Sequence, residues 1–197
     1  MDVKLEAWAI PIDDLRSREL ELVERHARGD ESAFEEVYTL HSGRVYGLCL
    51  RLAGDPEEAF DLAQEVFLRV HRHLARFRGR SSLSTWIYRV TVNHCRSRLA
   101  RRRIVAVPLE EAVARGDEPR ARGADPERLA VVSQAGRRLG AALARLPLKL
   151  RLAVVLRDVE GLAYGEIATV LRVPVGTVRS RIARAREALR QELGDGG

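Results

Sequence analysis

The stretch Tyr164–Arg190, YGEIATVLRVPVGTVRSRIARAREALR, reads as a short helix, a turn at Val173-Pro174, and a second helix carrying Arg179, Arg181, Arg184, Arg186 and Arg190. A helix-turn-helix of this kind places side chains in a DNA major groove. Val178, Ile182, Ala185 and Leu189 recur at steps of four, three and four, so they form the stripe that the helix buries. The same geometry turns Gly176, Arg179, Ser180, Ala183 and Arg184 to the opposite side. Arg suits bidentate contact with guanine, and Ser serves bases or phosphates. Arg181 and Arg186 fall on the flanks, towards phosphate or solvent, and Tyr164 opens the preceding helix within reach of a DNA backbone. Ala168 is small enough to let the two helices pack closely. Alone, the pattern also fits a helical hairpin with a solvated arginine face.

Upstream, helical periodicity starts at Glu19 and passes through Leu22, Val23, His26, Phe34, Val37, Tyr38, Val45, Leu48 and Leu52, with a break at Gly29-Asp30. Asp55-Pro56-Glu57-Glu58 supplies an N-cap, a proline for the first turn and carboxylates for the positive end of a helix dipole. The helix that follows buries Ala59, Leu62, Val66, Val70 and Leu74 and stops near Phe77 and Gly79. Ser81 or Ser82 opens the next helix, which runs through Trp86, Ile87, Val90 and Cys95 to Arg101-Arg102-Arg103. The pattern fails from Ile104, where Pro, Gly and charge give the composition of a linker. It resumes at Leu129. No strand alternation is convincing, and the expected fold is all-α: two small helical domains on a flexible linker, the second containing the helix-turn-helix. The boundaries read as an N-terminal extension over 1–18, a first domain over 19–103, a linker over 104–128 and a second domain over 129–197.

Composition narrows the function. Of the 197 residues 31% are charged and 5% aromatic, and the formal net charge of +6 is unevenly placed. Basic residues cluster at Arg96–Arg103 and in the last helix, while Glu31–Glu36 and Asp55–Glu65 are acidic. A polyanion at one face and a basic protein surface at another would suit that distribution. No apolar run approaches the ~20 residues needed to cross a bilayer, and the N-terminus lacks a signal-like apolar core, so a cytoplasmic protein without membrane insertion is expected. Cys49 and Cys95 sit in apolar helical patterns and read as reduced core residues. There is no Gly-rich phosphate loop and no metalloprotease His-Glu pattern. His71, His73, His94 and Cys95 lack the paired spacing of ordinary zinc sites. Catalytic residues, a metal and a cofactor are therefore not expected.

The phrase VPVGTVRSRIARAREALR resembles the −35-reading region of bacterial RNA polymerase sigma factors, within them the extracytoplasmic-function (ECF) group. DPEEAFDLAQEVFLRVHRHLARFRGRSSLSTWIYRVTVNHCRSRLARRR is similar to that family's other conserved domain, so the resemblance covers nearly the whole chain. It implies an alternative sigma factor that binds core RNA polymerase and directs promoter-specific initiation. Core binding would use the clamp helices of the largest subunit and the flap of the second-largest. The resemblance places −35 reading in this helix, whose phase gives Arg179, Ser180 and Arg184, with Thr177, Arg181, Tyr164 and Arg157 around them. It assigns −10 contacts to Asn93, Ser81, Ser82, Phe77, Trp86, Arg89 and Arg96, and clamp docking to Asp61, Gln64, Glu65 and Leu68. Opening a promoter requires a base to be extruded and held, which asks for polar groups at its edge and walls around it. For Trp86 burial is the stronger expectation, since an aromatic at helical spacing usually packs in a core. The family also implies an anti-sigma partner and a linker that threads toward the RNA exit path. A helix-turn-helix regulator with a sensor domain fits less well, because a sensor has no need of a basic, serine-rich loop beside Asn93. The arginine-rich helix argues against an anti-sigma antagonist.

Overall fold

The computed structural model describes residues 12–105 and 134–194, with side chains for 17–101, 136 and 138–194. The expected extension before Ile12, most of the expected linker and the side chains of Arg102 and Arg103 lie outside the described residues. Eight α-helices make up the described part, with no strand among those residues.

The first four helices are α1 (Ile12–Ala27), α2 (Glu31–Ala53), α3 (Pro56–Leu74) and α4 (Leu83–Val105). Helix α1 begins seven residues before Glu19, where the apolar period starts, so the extension expected over 1–18 is partly helical. Charged residues dominate that first stretch, and such a segment shows no buried stripe for periodicity to detect. Gly29, at φ 91°, ends the helical hairpin's first arm, and the Asp30 carboxylate caps α2 by accepting from Ser32 N at 3.0 Å. Gly54, at φ 80°, closes α2 by donating to Leu50 O at 2.8 Å. Asp55 then caps α3, accepting from Glu58 N at 2.7 Å, with Pro56 in the first turn as the sequence predicts.

Leu62, Val66, Val70 and Leu74 of α3 pack with Val37, Val45, Leu48 and Leu52 of α2 and Ile87, Val92 and Cys95 of α4. Full burial of such aliphatic side chains contributes about 1.5–3 kcal/mol each. Cys49 and Cys95 are free thiols in this core, with their sulfurs 3.8 Å apart, far beyond a disulfide bond. The hydrogen bond with Cys49, then burial, pushes the Cys95 thiol up, so the protonated form dominates.

The second domain comprises α5 (Gln134–Arg145), α6 (Leu148–Val154), a π-helical turn (Val155–Val159), α7 (Tyr164–Leu171) and α8 (Val175–Gly194). Leu152, Val155 and Leu156 meet Ile167, Val170, Val178 and Ile182 in its interior. The sequence predicts one helix over Leu150–Val159. The structure starts it at Leu148 and widens its end into a π turn, whose Glu160 N–H reaches Val155 O at 3.1 Å. Gly161, at φ 74°, then reverses the chain towards α7.

The two domains also touch, which a picture of independent units on a tether leaves out. Arg151 is buried, 9% exposed, and donates from Nη1 to Leu52 O of α2 at 2.6 Å. Its Nη2 donates to Ala144 O and, at 3.1 Å, to Leu146 O. Burial lowers the guanidinium's pKa, and its hydrogen bonds to three carbonyls offset part of that desolvation. Tyr88 Oη donates to Glu160 Oε2 at 2.6 Å, and Thr85 Oγ1 donates to Glu166 Oε1 at 2.9 Å. Both bonds join α4 to the approach and first turn of α7.

Candidate promoter and polymerase interfaces

Helices α7 and α8 frame the helix-turn-helix. Arg172, at φ 55°, takes the left-handed conformation at the end of α7, and Val173 N returns to Ala168 O at 3.1 Å. Pro174 O then accepts from Thr177 N at 2.9 Å and Val178 N at 3.2 Å, which starts α8. Val178, Ile182 and Ala185 are buried and Leu189 is packed at the edge, as their spacing predicts. Arg179, Ser180 and Arg184 consequently stand exposed on the other side.

The arginines of α8 divide by engagement. Arg186 forms a paired contact with Asp158 of the π turn, at 2.9 and 2.5 Å, and Arg190 is bonded to Glu187. The Asp158 carboxylate raises the Arg186 pKa. Arg184 has no ion-pair partner among the described residues. The Arg179 guanidinium stands 5.8 Å from the centre of the Tyr164 ring, and that of Arg157 at 4.9 Å. Arg157 is also tied down through Nη1 to Leu162 O at 2.8 Å. Ser180 spends its hydroxyl proton on Thr177 O at 3.0 Å, leaving oxygen lone pairs outward. Thr177 and Arg181 are half-buried.

The −10 candidates gather around the segment between α3 and α4. Phe77 is 8% exposed and lies edge-on to the half-buried Trp86, with ring centres 5.8 Å apart. Both aromatics pack at the core, in line with the burial expected for Trp86. Gly79 has φ 64°, and a Cβ there would meet Leu20 of α1 at 3.1 Å. Ser82 Oγ accepts from Thr85 N at 3.1 Å and lies 2.8 Å from Thr85 Oγ1, so it caps α4. Leu83 N donates to Glu19 Oε2 of α1 at 2.8 Å. Ser81 and Ser82 line a cleft of about 660 Å³ together with Arg80, Thr85, Ala163 and Glu166, so the loop faces α7. Asn93 and Arg89 are half-buried and Arg96 is exposed further along α4. Asn93 does not line that cleft.

On α3, Asp61, Gln64 and Leu68 are exposed. Glu65 differs: its carboxylate lies 2.9 Å from His94 Nε2 and 3.3 Å from Arg98 of α4, which braces one helix against the other. Burial, then Arg69, holds the His94 pKa below its ordinary value against the pull of Glu65. Phe60, 56% exposed, shares a helix face with Gln64 and Leu68, the last 58% exposed. Its signal in the sequence is an aromatic outside the stripe of Ala59, Leu62 and Val66.

Residues 37–104 match the family described as Sigma-70 region 2, and residues 136–189 match Sigma-70, region 4. The RNA polymerase sigma-H factor of Pseudomonas aeruginosa is 40% identical over 183 residues, spanning 90% of this chain and 95% of that protein. The ECF RNA polymerase sigma-E factor of Escherichia coli K12 is 37% identical over 175 residues, covering 85% of this chain and 90% of its own length. The ECF RNA polymerase sigma factor SigW of Bacillus subtilis is 33% identical over 173 residues, covering 85% and 92% respectively. The chain belongs to the ECF RNA polymerase sigma factors. The sigma factor RpoE of Bartonella quintana, solved with the anti-sigma factor NepR, shares the fold at TM-score 0.65 and 23% identity, over 83% of this chain and 98% of that one. CnrH, solved with the cytosolic domain of CnrY, matches at TM-score 0.63 and 23% identity, over 91% and 99%. ECF sigma factors bind core RNA polymerase and direct promoter-specific initiation. The region 2 match takes in α3, the serine-rich loop and α4 but starts beyond α1, and the region 4 match takes in the helix-turn-helix.

Proposed function

We propose that Arg179, Ser180 and Arg184 read the −35 element of this sigma factor's promoters, with Thr177, Arg181 and Tyr164 against the DNA backbone. The observation that carries this reading is the exposed arginine face opposite the buried Val178–Ile182–Ala185 stripe. Arg186 and Arg190, held by acidic neighbours, serve the fold first. Arg157 supports Tyr164 and the turn, and reaches DNA only at the edge.

The loop at Ser81 and Ser82, with Asn93, Arg89 and Arg96, handles the −10 element. Phe77 and Trp86 form the wall behind it, and would need to shift to meet a base. Clamp docking uses Asp61, Gln64 and Leu68 with Phe60 beside them, an apolar patch rimmed by polar groups. Glu65 acts by holding α3 to α4. Region 4 meets the flap of the second-largest polymerase subunit. Polymerase performs the chemistry and this chain performs none, working in the cytoplasm. Among the described residues no helix is long and apolar enough to cross a membrane. The two structural neighbours were solved with an anti-sigma factor or the cytosolic domain of a second protein, which supports a regulator of that kind here.

Transcription by purified core polymerase on a promoter library, with and without this chain, tests the reading. Initiation confined to one promoter class and dependent on the chain supports it. Initiation that ignores the chain would exclude it.

A further inference from the structure

We propose that His26, Glu31 and His71 form a binding site for a divalent transition-metal ion, zinc foremost, that ties α1 to α2 and α3. One potential ligand atom from each residue lies within 4.8 Å of the others, and the three side chains come from three different helices. His71 Nε2 already stands 3.1 Å from Glu31 Oε2. His26 Nε2 lies 3.2 Å from the backbone carbonyl oxygen of His71, and a carbonyl can only accept, so Nε2 carries the proton. Nδ1 is the ring nitrogen left for an ion, and it is buried with no hydrogen-bond partner. A ligating imidazole commonly donates its other ring N–H to a backbone carbonyl, which is the hydrogen bond His26 makes here.

Two imidazoles and a carboxylate suit zinc, at bond lengths that place tetrahedral ligand atoms about 3.4 Å apart. Closing from at most 4.8 Å requires movement of about an ångström, shared between the exposed Glu31 side chain and the two imidazoles. The rings are held by packing: His71 meets Phe34 edge-on at 4.7 Å and His26 at 4.9 Å between centres. Arg25 does not compete for Glu31, because Asp30 and Glu36 bind it at 2.8 and 2.9 Å. His26 and Glu31 precede the span that matches Sigma-70 region 2, while His71 lies within it.

An ion here would stiffen α1, and α1 supports the serine-rich loop. Glu19 accepts from Leu83 N at the start of α4, and Leu20 packs beneath Gly79. Metal occupancy would thus be felt in the segment between α3 and α4. The site stands independently of the promoter assignments above.

The test is titration of the metal-free full-length chain with Zn(II) and with Co(II), followed by calorimetry and the visible absorption of cobalt. One ion per chain is expected, with the intense bands of a low-coordinate cobalt site displaced by zinc. Glu31→Gln is a surface change that leaves the fold in place, and His71→Gln removes a half-buried ring. Each should weaken binding by at least the ~10–100-fold that loss of a hydrogen-bond partner to a metal ligand costs. His73→Gln, on an exposed face of α3, should change nothing. Hydrogen exchange at α1 and at residues 79–83 should slow with zinc in the unsubstituted chain and not in Glu31→Gln. Absence of stoichiometric binding overturns the site, as does binding undiminished by Glu31→Gln and His71→Gln together.

Discussion

At the scale of single residues, α8 separates arginines that read from arginines that brace. Arg179→Ala or Arg184→Ala should cost about 1–3 kcal/mol of discrimination at one −35 base pair, the worth of a bidentate contact. Affinity of the chain for core polymerase should stay unchanged, and measuring both on one preparation checks the division. His41 carries a pH prediction. Burial, then Arg44, holds its pKa down to about 4, against an ordinary value of 6.5. The unfolded chain therefore takes up a proton here before the folded one does. Stability is full above pH 6.5, falls by up to about 3 kcal/mol as pH drops towards 4, and levels below that. The lowered pKa of His94 acts in the same sense, so His41→Gln should reduce the slope of urea-unfolding free energy against pH without abolishing it. A slope identical to that of the unsubstituted chain would remove His41 from the account. These side chains differ in how openly the sequence announces them. Arg179 and Arg184 follow from helical phase alone, because Val178 and Ile182 define the opposite face. The engagement of Glu65 by His94 and Arg98 depends on how α3 and α4 cross, and no local pattern encodes a crossing.

At the scale of elements, the turn between α7 and α8 is set by a residue poorly suited to its conformation. Arg172 sits at φ 55°, a region that costs a non-glycine residue roughly 1–2 kcal/mol. Arg172→Gly should accordingly raise stability by about 0.5–1 kcal/mol after glycine's greater unfolded-state entropy is set against the relief. Thermal unfolding reads this directly, and a fall in Tm would mean that the arginine side chain holds the turn by contacts of its own. Helix starts were legible where chemistry marks them: Asp55-Pro56 before α3, and Ser81 or Ser82 before α4, of which the structure uses Ser82. The π turn was not. Residues 152–156 are apolar and buried all round, so their run has no phase from which a change of helical pitch could be read. The turn's effect appears only in three dimensions, where it sends Asp158 to Arg186 and Glu160 to Tyr88.

At the scale of the molecule, two domains that the sequence separates meet along a seam of polar bonds. Arg151 to Leu52 O, Tyr88 to Glu160 and Thr85 to Glu166 join residues 99, 72 and 81 positions apart. Each pairing is invisible to periodicity, since a carbonyl has no signature and a tyrosine on a helix reads as core. The bond from Tyr88 to a carboxylate is worth about 1.5–3 kcal/mol. Tyr88→Phe combined with Glu160→Ala should raise the population of separated domains by roughly tenfold or more, with helicity unchanged. The radius of gyration in solution and the distance between labels on α3 and α8 measure it. Compactness equal to the unsubstituted chain's would locate the hold at Arg151 instead. Such labels attach through sulfur, and here the facing thiols of Cys49 and Cys95 matter in a practical way. Both are fully buried, so neither sulfur is open to a maleimide in the folded chain, and Cys95 is held protonated besides. Cysteines introduced on exposed helix faces would take the dye first, and the natural pair would not have to be removed before the domains can be watched coming apart.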